Sequence, residues 1–378
     1  MDHLKRISDF QKIIAKEGFD AVFVSRRGAM AYFTGAFIPW CSALCIPAEG
    51  EAELITQRYD INRVICFSAV KKMRGWAPQG DVTFIDCLVD VIKDKKLEKA
   101  KVGFEMETAE VAGVLTAYEY LELKKAFPEL CIVDALPTVN SVLVKRDFEE
   151  IELLRRAAEA ADYSMQTAFE SIRVGMTETE LAGVAEYAGR KAGSMFNWSM
   201  TGTEVGSGYR QSYENCWTVI PSAKRLQRGD LITLDIHTMV DNYIADLALN
   251  AVVGKPSEKQ QALAGRWAEV CYFLLDNIQP GVLASDIAKA MIKKGEQLKI
   301  GDFLMHSFGH GLGLEARIPP TISPENNYVL QDNMAMVAVV QLTDPAVGGL
   351  RLEMPLIITD HGAEKLCKTP IELYVREV

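Results

Sequence analysis

Two aspartates eleven residues apart, Asp235 and Asp246, close the stretch LDIHTMVDNYIAD at 234–246, and His237 follows the first by two. The run otherwise reads as two apolar strands around a turn. A strand sends residues i and i+2 to the same face, so Asp235 and His237 point the same way. A carboxylate and an imidazole so placed are metal ligands, an acid–base pair, or members of a satisfied polar network. Two later segments carry the same kinds of groups. HSFGHGLGLEARIPP (306–320) holds His306, His310 and Arg317, and GGLRLEMPLIIT (348–359) holds Glu353. Between them LQDNMAMVAVVQL (330–342) is a nearly uninterrupted apolar run.

These groups need elements to hold them. Strands are expected at 231–238, 243–253, 334–342 and 350–359, with helices at about 258–276 and 284–297. A long amphipathic helix precedes them, with Ile151, Leu154, Ala158, Ala161 and Met165 on its apolar face, and another begins at Thr177 and Glu180, which have capping-box spacing. The first part alternates differently. A helix over 2–17, with Leu4, Ile7, Ile13 and Ile14 near helical spacing, leads into strands at 20–25, 42–47, 51–56, 81–86, 101–106 and 131–136. That is an α/β pattern. The fold class is therefore read as α+β, an N-terminal α/β domain over 1–142 followed by a second domain over 143–378.

Composition narrows the partners. Of 378 residues 49% are apolar and 24% charged, an ordinary globular balance, and the net charge is −10 without a long Lys/Arg cluster. Nucleic acid and anionic membranes are thereby disfavoured. No stretch reaches the roughly 18 apolar residues of a membrane span, and the start, MDHLKRISDFQKII, lacks the apolar core of a signal peptide. Eight cysteines are scattered without a CxxC, which suits a reduced, cytoplasmic protein with cysteines as core filler.

GDLITLD, an aspartate eleven residues on, GHGLG and RLE in this order, behind VKRDFEEIELLRRAAEAAD, resemble the pita-bread metallopeptidase superfamily of aminopeptidase P, prolidase and creatinase. The resemblance implies a creatinase-type N-terminal domain and a pita-bread catalytic domain, a curved antiparallel sheet with outer helices. It also implies two divalent metals on five ligands. Four fall on Asp235, Asp246, His310 and Glu353; the fifth, a glutamate in the family, falls on Val339. Two histidines that the family uses to handle protons fall near Trp217–Thr218 and on Arg317, so neither is present. His306 falls where the family often has a substrate-contacting histidine.

A chain short of one ligand carboxylate should hold its second metal weakly or not at all. The expected cofactor is thus a single Mn, Fe, Co or Zn ion or none, as in creatinase. His237 stands where relatives have a small residue, though one lyase of this fold places an aspartate there. It either joins the metal ligands or serves as a general base. Arg317 offers a bidentate clamp for a substrate carboxylate. Trp198, Tyr209, Tyr213 and Trp217 could cage a cation, and Trp40 lies where creatinase-type enzymes lend residues to a neighbouring subunit. The catalytic candidates are His237, His306, Arg317 and Glu353. The expected function is a creatinase-like hydrolase of a C–N bond in a small polar metabolite, working as a homodimer. The alternatives are a metal-dependent Xaa-Pro dipeptidase or aminopeptidase acting on a dipeptide, a lyase on an onium compound, and a non-catalytic peptide-binding module.

Overall fold

The computed structural model describes residues 1–106, 115–195, 202–213 (Ser212 and Tyr213 as backbone only) and 219–377. The chain divides into two compact units, Met1–Leu143 and Val144–Val378.

The first unit runs α1 (His3–Lys16), β1 (Ala21–Val24), α2 (Arg27–Thr34), β2 (Ala43–Pro47), β3 (Glu53–Gln57), α3 (Ile61–Phe67), β4 (Met73–Trp76), α4 (Phe84–Asp94), β5 (Lys101–Phe104), α5 (Ala117–Ala126), β6 (Cys131–Asp134) and α6 (Leu136–Leu143). Its mixed sheet has the order β4-β3-β2-β1-β5-β6. The core packs Phe23 on Phe104, ring centroids 4.7 Å apart, against Leu88, Val91, Ile92 and Leu123. The segment 81–86, expected as a strand, is instead the entry to α4. Thr83 and Asp86 cap each other's backbone N–H groups, and Leu88, Val91 and Ile92 then bury one helical face. The sheet position goes to β4, whose four residues are all half-buried and so show no alternation. In α1 the buried face is Ile7, Phe10 and Ile14, while Leu4 is exposed.

The second unit runs α7 (Phe148–Ser171), α8 (Glu178–Lys191), β7 (Glu204–Ser207), α9 (Tyr209–Tyr213), β8 (Leu231–Val240), β9 (Tyr243–Val253), α10 (Glu258–Asn277), α11 (Ala284–Gln297), β10 (Gly309–Gly311), β11 (Ile318–Thr321), β12 (Ala335–Asp344), β13 (Gly348–Thr359), β14 (Gly362–Lys365) and β15 (Leu373–Arg376). The sheet order is β11-β10-β12-β13-β9-β8-β7, with β14 added to β13 and β15 to β9. Every pairing is antiparallel except β15 on β9. Helix α7 buries the five apolar positions its sequence shows, and capping boxes start both it (Asp147, Glu150) and α8 (Thr177, Glu180). Thr238 donates to the Ala157 carbonyl of α7 at 2.6 Å. The even-numbered residues of β8 therefore face helix, and Asp235 and His237 face the other side of the sheet.

Candidate metal centre

Strand register sets the side chains of the site in three neighbouring rows. In the middle row Glu204, Asp235, Ala248, Glu353 and Val339 are successive cross-strand partners over β7, β8, β9, β13 and β12. In the row on one side His237 lies opposite Asp246 on β8 and β9, and in the row on the other side Gln341 lies opposite Arg351 on β12 and β13. Residues two apart on one strand share a face, so all three rows look out from the same side of the sheet.

Asp235, His237, Asp246 and Glu353 bring one ligand atom each to within 4.8 Å of all the others. All four are buried. His237 Nε2 stands 3.4 Å from Asp246 Oδ1, ion-pair range but outside good hydrogen-bond geometry. Among the described residues Asp235 Oδ1, His237 Nδ1, Asp246 Oδ1 and Glu353 Oε2 each lack a hydrogen-bond partner although shielded from water. Leaving a buried polar atom unsatisfied costs about 1–3 kcal/mol, and here all four clustered residues carry such an atom. Three carboxylates and an imidazole are the donor set of a first-row divalent ion. The residues present fit such a cation.

The protonation tendencies describe the same crowding. Burial, then the neighbouring Glu353, raises Asp235 well above the usual carboxylate range and Asp246 to about 7. Burial opposes charge on His237, but Asp246 and Asp235 overcome it and lift the imidazole to about 10. Burial also opposes charge on Glu353, yet the Arg351 guanidinium holds that carboxyl well below its ordinary value. His310 goes the other way. Burial and then Arg317 lower it to about 4, so it is neutral at physiological pH.

His310 stands apart from the four. Its Nε2 is 3.8 Å from Asp246 Oδ2, and its Nδ1 is 3.1 Å from the Gly311 carbonyl. Its place is fixed by close backbone approach on both sides of β10. A Cβ at Gly309 would lie 2.6 Å from the Val337 carbonyl oxygen, and one at Gly311 2.5 Å from that of Pro319. The GHGLG spacing is thus a packing requirement as well as a ligand signature. Val339 is buried beside Glu353 and offers no donor atom. His306 is exposed, with its ring 6.4 Å from that of Phe308, and it is not one of the four clustered groups. Arg317 is half-buried and its charge is felt at His310. Tyr209 is exposed on α9, with Lys224 Nζ 5.8 Å from its ring centroid. Trp40 is exposed on the first unit. Trp198 and Trp217 lie outside the described residues, as do the Tyr213 side chain and Thr218.

Two residues of the site carry no obvious sign in the sequence. Arg351 donates to Glu353 Oε1 at 2.7 Å and to Glu204 Oε2 at 3.0 Å, and its Nη1 lies 3.2 Å from Asp235 Oδ2. Glu204 in turn accepts the Val219 N–H at 3.1 Å. Arg351 could have been found from its place two residues before Glu353 on one strand. Glu204 sits in an irregular Gly/Ser-rich stretch where no periodicity marks a strand. Asn250 holds Arg351 by its backbone, accepting its N–H at 2.9 Å and donating to its carbonyl at 2.8 Å.

Comparison with known proteins agrees with this architecture. The creatinase/prolidase N-terminal domain matches residues 6–142, and metallopeptidase family M24 matches residues 152–360. A Xaa-Pro dipeptidase of Pyrococcus furiosus is 28% identical over 377 residues, covering 98% of this chain and 99% of its own. The crystal structure of an X-Pro aminopeptidase from Thermotoga maritima superposes with a TM-score of 0.85 at 25% identity, over 98% of this chain and 99% of that one. The prolidase of Pyrococcus horikoshii superposes at 0.83 and 25% identity over the same shares. An α+β chain with a creatinase-type first domain and a pita-bread second domain, matched by the family over more than half its length, belongs to metallopeptidase family M24 and is a hydrolase of the aminopeptidase P, prolidase and creatinase superfamily.

Proposed function

We propose that this chain is a metal-dependent hydrolase of the C–N bond in a dipeptide-sized substrate of the Xaa-Pro class. The observation that carries the reading is the buried cluster of Asp235, His237, Asp246 and Glu353, in a chain similar over 98% of its length to a Xaa-Pro dipeptidase. The relatives weigh toward this alternative and against the creatinase-like reading first drawn from the missing carboxylate. A cavity of about 380 Å³ between α7, α8 and β8, lined by Ser164, Ala185, Gly189, Ile236 and Thr238, touches His237 but none of Asp235, Asp246, His310, Arg317 or Glu353, so it is not taken as the substrate site.

A divalent cation held by the four groups supplies Lewis acidity and lowers the pKa of water. The chain's own residues do the rest. Glu353 is kept ionised by Arg351 and orients the attacking water. Asp246 lies between the two imidazoles, 3.4 Å from His237 Nε2 and 3.8 Å from His310 Nε2. His310, neutral and beside Asp246, can accept and return a proton at Nε2. Arg317 holds the substrate carboxylate through its planar fork. A homodimer, as the family resemblance implies, belongs to this reading and is checked by sedimentation velocity.

A second reading keeps the site and changes the substrate. With Arg317 where the family has a histidine, a small guanidino acid or an onium compound would be anchored by its carboxylate. A panel of Xaa-Pro dipeptides, guanidino acids and onium compounds, assayed with and without Mn²⁺ or Co²⁺, separates the two. Metal-dependent release of proline is expected; turnover confined to the guanidino acids or onium compounds would overturn the dipeptidase assignment.

A further inference from the structure

The positions that the family fills with metal ligands and the positions that form a metal-capable cluster here are different sets. The family pattern puts ligands at Asp235, Asp246, His310, residue 339 and Glu353. The geometry gathers Asp235, His237, Asp246 and Glu353 and leaves His310 and Val339 out. We infer that the chain holds one divalent cation, displaced toward the β8–β9 hairpin, with His237 as its nitrogen ligand and His310 outside its coordination shell.

Three independent observations carry this. First, among the described residues each of the four keeps at least one buried atom without a hydrogen-bond partner, and His310 is not among the residues that do. Unsatisfied buried donors and acceptors are rare in folded proteins, and an ion is one of the accepted explanations. Second, His237 and Asp246 are direct cross-strand partners, so the imidazole is offered from the same hairpin as two of the carboxylates. His310 is carried on a separate strand, β10, and its Nε2 lies 3.8 Å from the nearer Asp246 oxygen against 3.4 Å for His237 Nε2. Third, a second cation on the His310 side would need a donor from β12. The residue facing Glu353 there is Val339, only 5% exposed and incapable of ligation. The replacement of a carboxylate by valine at 339 and the presence of histidine at 237 then become one change. The ligand deleted from one hairpin is supplied by the other, and the site goes from two ions to one. His310, released from the metal, is free to act on substrate.

The inference rests on the metal-dependent reading of the site, and its test does not use turnover. Chelator-treated full-length protein is titrated with MnCl₂ by calorimetry, and bound metal is counted by elemental analysis after dialysis. Pulsed electron paramagnetic resonance of the Mn²⁺ form reports directly bonded imidazole nitrogen. Wild type should take up a single equivalent with one bonded nitrogen. His237→Ala should weaken binding by about 100-fold or more, since even residues behind the ligands are typically worth 10–100-fold, and should abolish the nitrogen signal. His310→Ala should leave affinity, stoichiometry and signal unchanged. His237→Gln, closer in size and polar, guards against a folding defect, with circular dichroism of each variant as the check. Two equivalents in wild type, a nitrogen signal that survives His237→Ala and His237→Gln, or its loss in His310→Ala would overturn the inference, as would failure to bind Mn²⁺ at all. If the metal behaves as expected and no Xaa-Pro dipeptide is cleaved, the substrate assignment fails and the site assignment stands.

Discussion

Turned about an axis between Ala248 and Glu353, the hairpin β8–β9 falls on the hairpin β12–β13, because each strand pairs with its neighbour in matching register. The rotation exchanges Asp235 with Val339, His237 with Gln341, Asp246 with Arg351 and Ala248 with Glu353. One hairpin therefore presents two carboxylates and an imidazole. The other presents a single carboxylate, a guanidinium, an amide and an alkyl group. A two-metal centre draws bridging carboxylates from both halves of such a site. Here the backbone symmetry persists while the chemistry is concentrated on one half, and the second half has become a support. Arg351 fixes Glu353 and screens Asp235 and Glu204.

The most severe way to break this comparison is to empty the richer hairpin. Asp246→Ala removes the residue that lies between His237 and His310, and Asp235→Ala removes the carboxylate two residues before His237. Each should reduce bound metal and any hydrolytic activity to background, measured by elemental analysis of dialysed protein and by the substrate panel. Retention of metal by Asp246→Ala would mean that the β8–β9 hairpin is not the centre of the site.

Next in size is the support. Arg351→Met takes a buried cation from Glu204, Asp235 and Glu353, and removing one partner of a buried ion pair costs about 3–5 kcal/mol. A loss of that order is expected in the denaturant midpoint of the metal-free protein. Mn²⁺ should restore part of it, because a divalent ion supplies some of the missing positive charge. A loss of stability with no metal rescue would show that Arg351 serves the sheet and not the carboxylates.

Val339→Glu asks whether one side chain separates the hairpins. In metal-free protein a carboxylate at this buried position, beside Glu353, should cost roughly 2–4 kcal/mol. With His310 and Glu353 adjacent, it should also raise the Mn²⁺ stoichiometry from one to two and recover stability on loading. An unchanged stoichiometry would place the difference elsewhere, with Gln341 the next position to examine.

What could be read ahead of the structure follows the same division. The β8–β9 hairpin is local, so period-two alternation places Asp235 and His237 on one face, and the strand limits at 231–240 and 243–253 lie close to the expected ones. The caps of α7 and α8 are equally local, since Asp147, Glu150, Thr177 and Glu180 act within one turn. The contacts of Arg351 are not. They depend on Glu353 pairing with Ala248, a link over about a hundred residues, and on Glu204, whose strand is short and shows no alternation. The separation of His310 from the cluster was hidden for a related reason. A motif fixes the order of ligands, but the register of β10 on β12 fixes how far the imidazole reaches. The misread segment at 81–86 shows the converse error, where apolar alternation suggested a strand and a reciprocal Thr83–Asp86 cap decided for a helix.

The smallest expected effect tests the seam between the hairpins. Asn250 on β9 grips the backbone of Arg351 through both its amide oxygen and nitrogen, and Thr233 donates to the same oxygen at 2.9 Å. The symmetric position on β13 is Pro355, which has no polar side-chain atom and cannot return the grip. The seam is therefore held from one side. Asn250→Ala leaves the Arg351 N–H and carbonyl without these partners and should cost about 1–3 kcal/mol. The metal ligands all remain, so the number of Mn²⁺ bound should stay at one while the affinity falls only as far as Glu353 loses its fixed orientation. A stability loss with unchanged affinity would show that the guanidinium finds Glu353 without help from its backbone. An affinity loss as large as that of Asp246→Ala would show instead that the poorer hairpin, through Arg351, sets the geometry of the richer one.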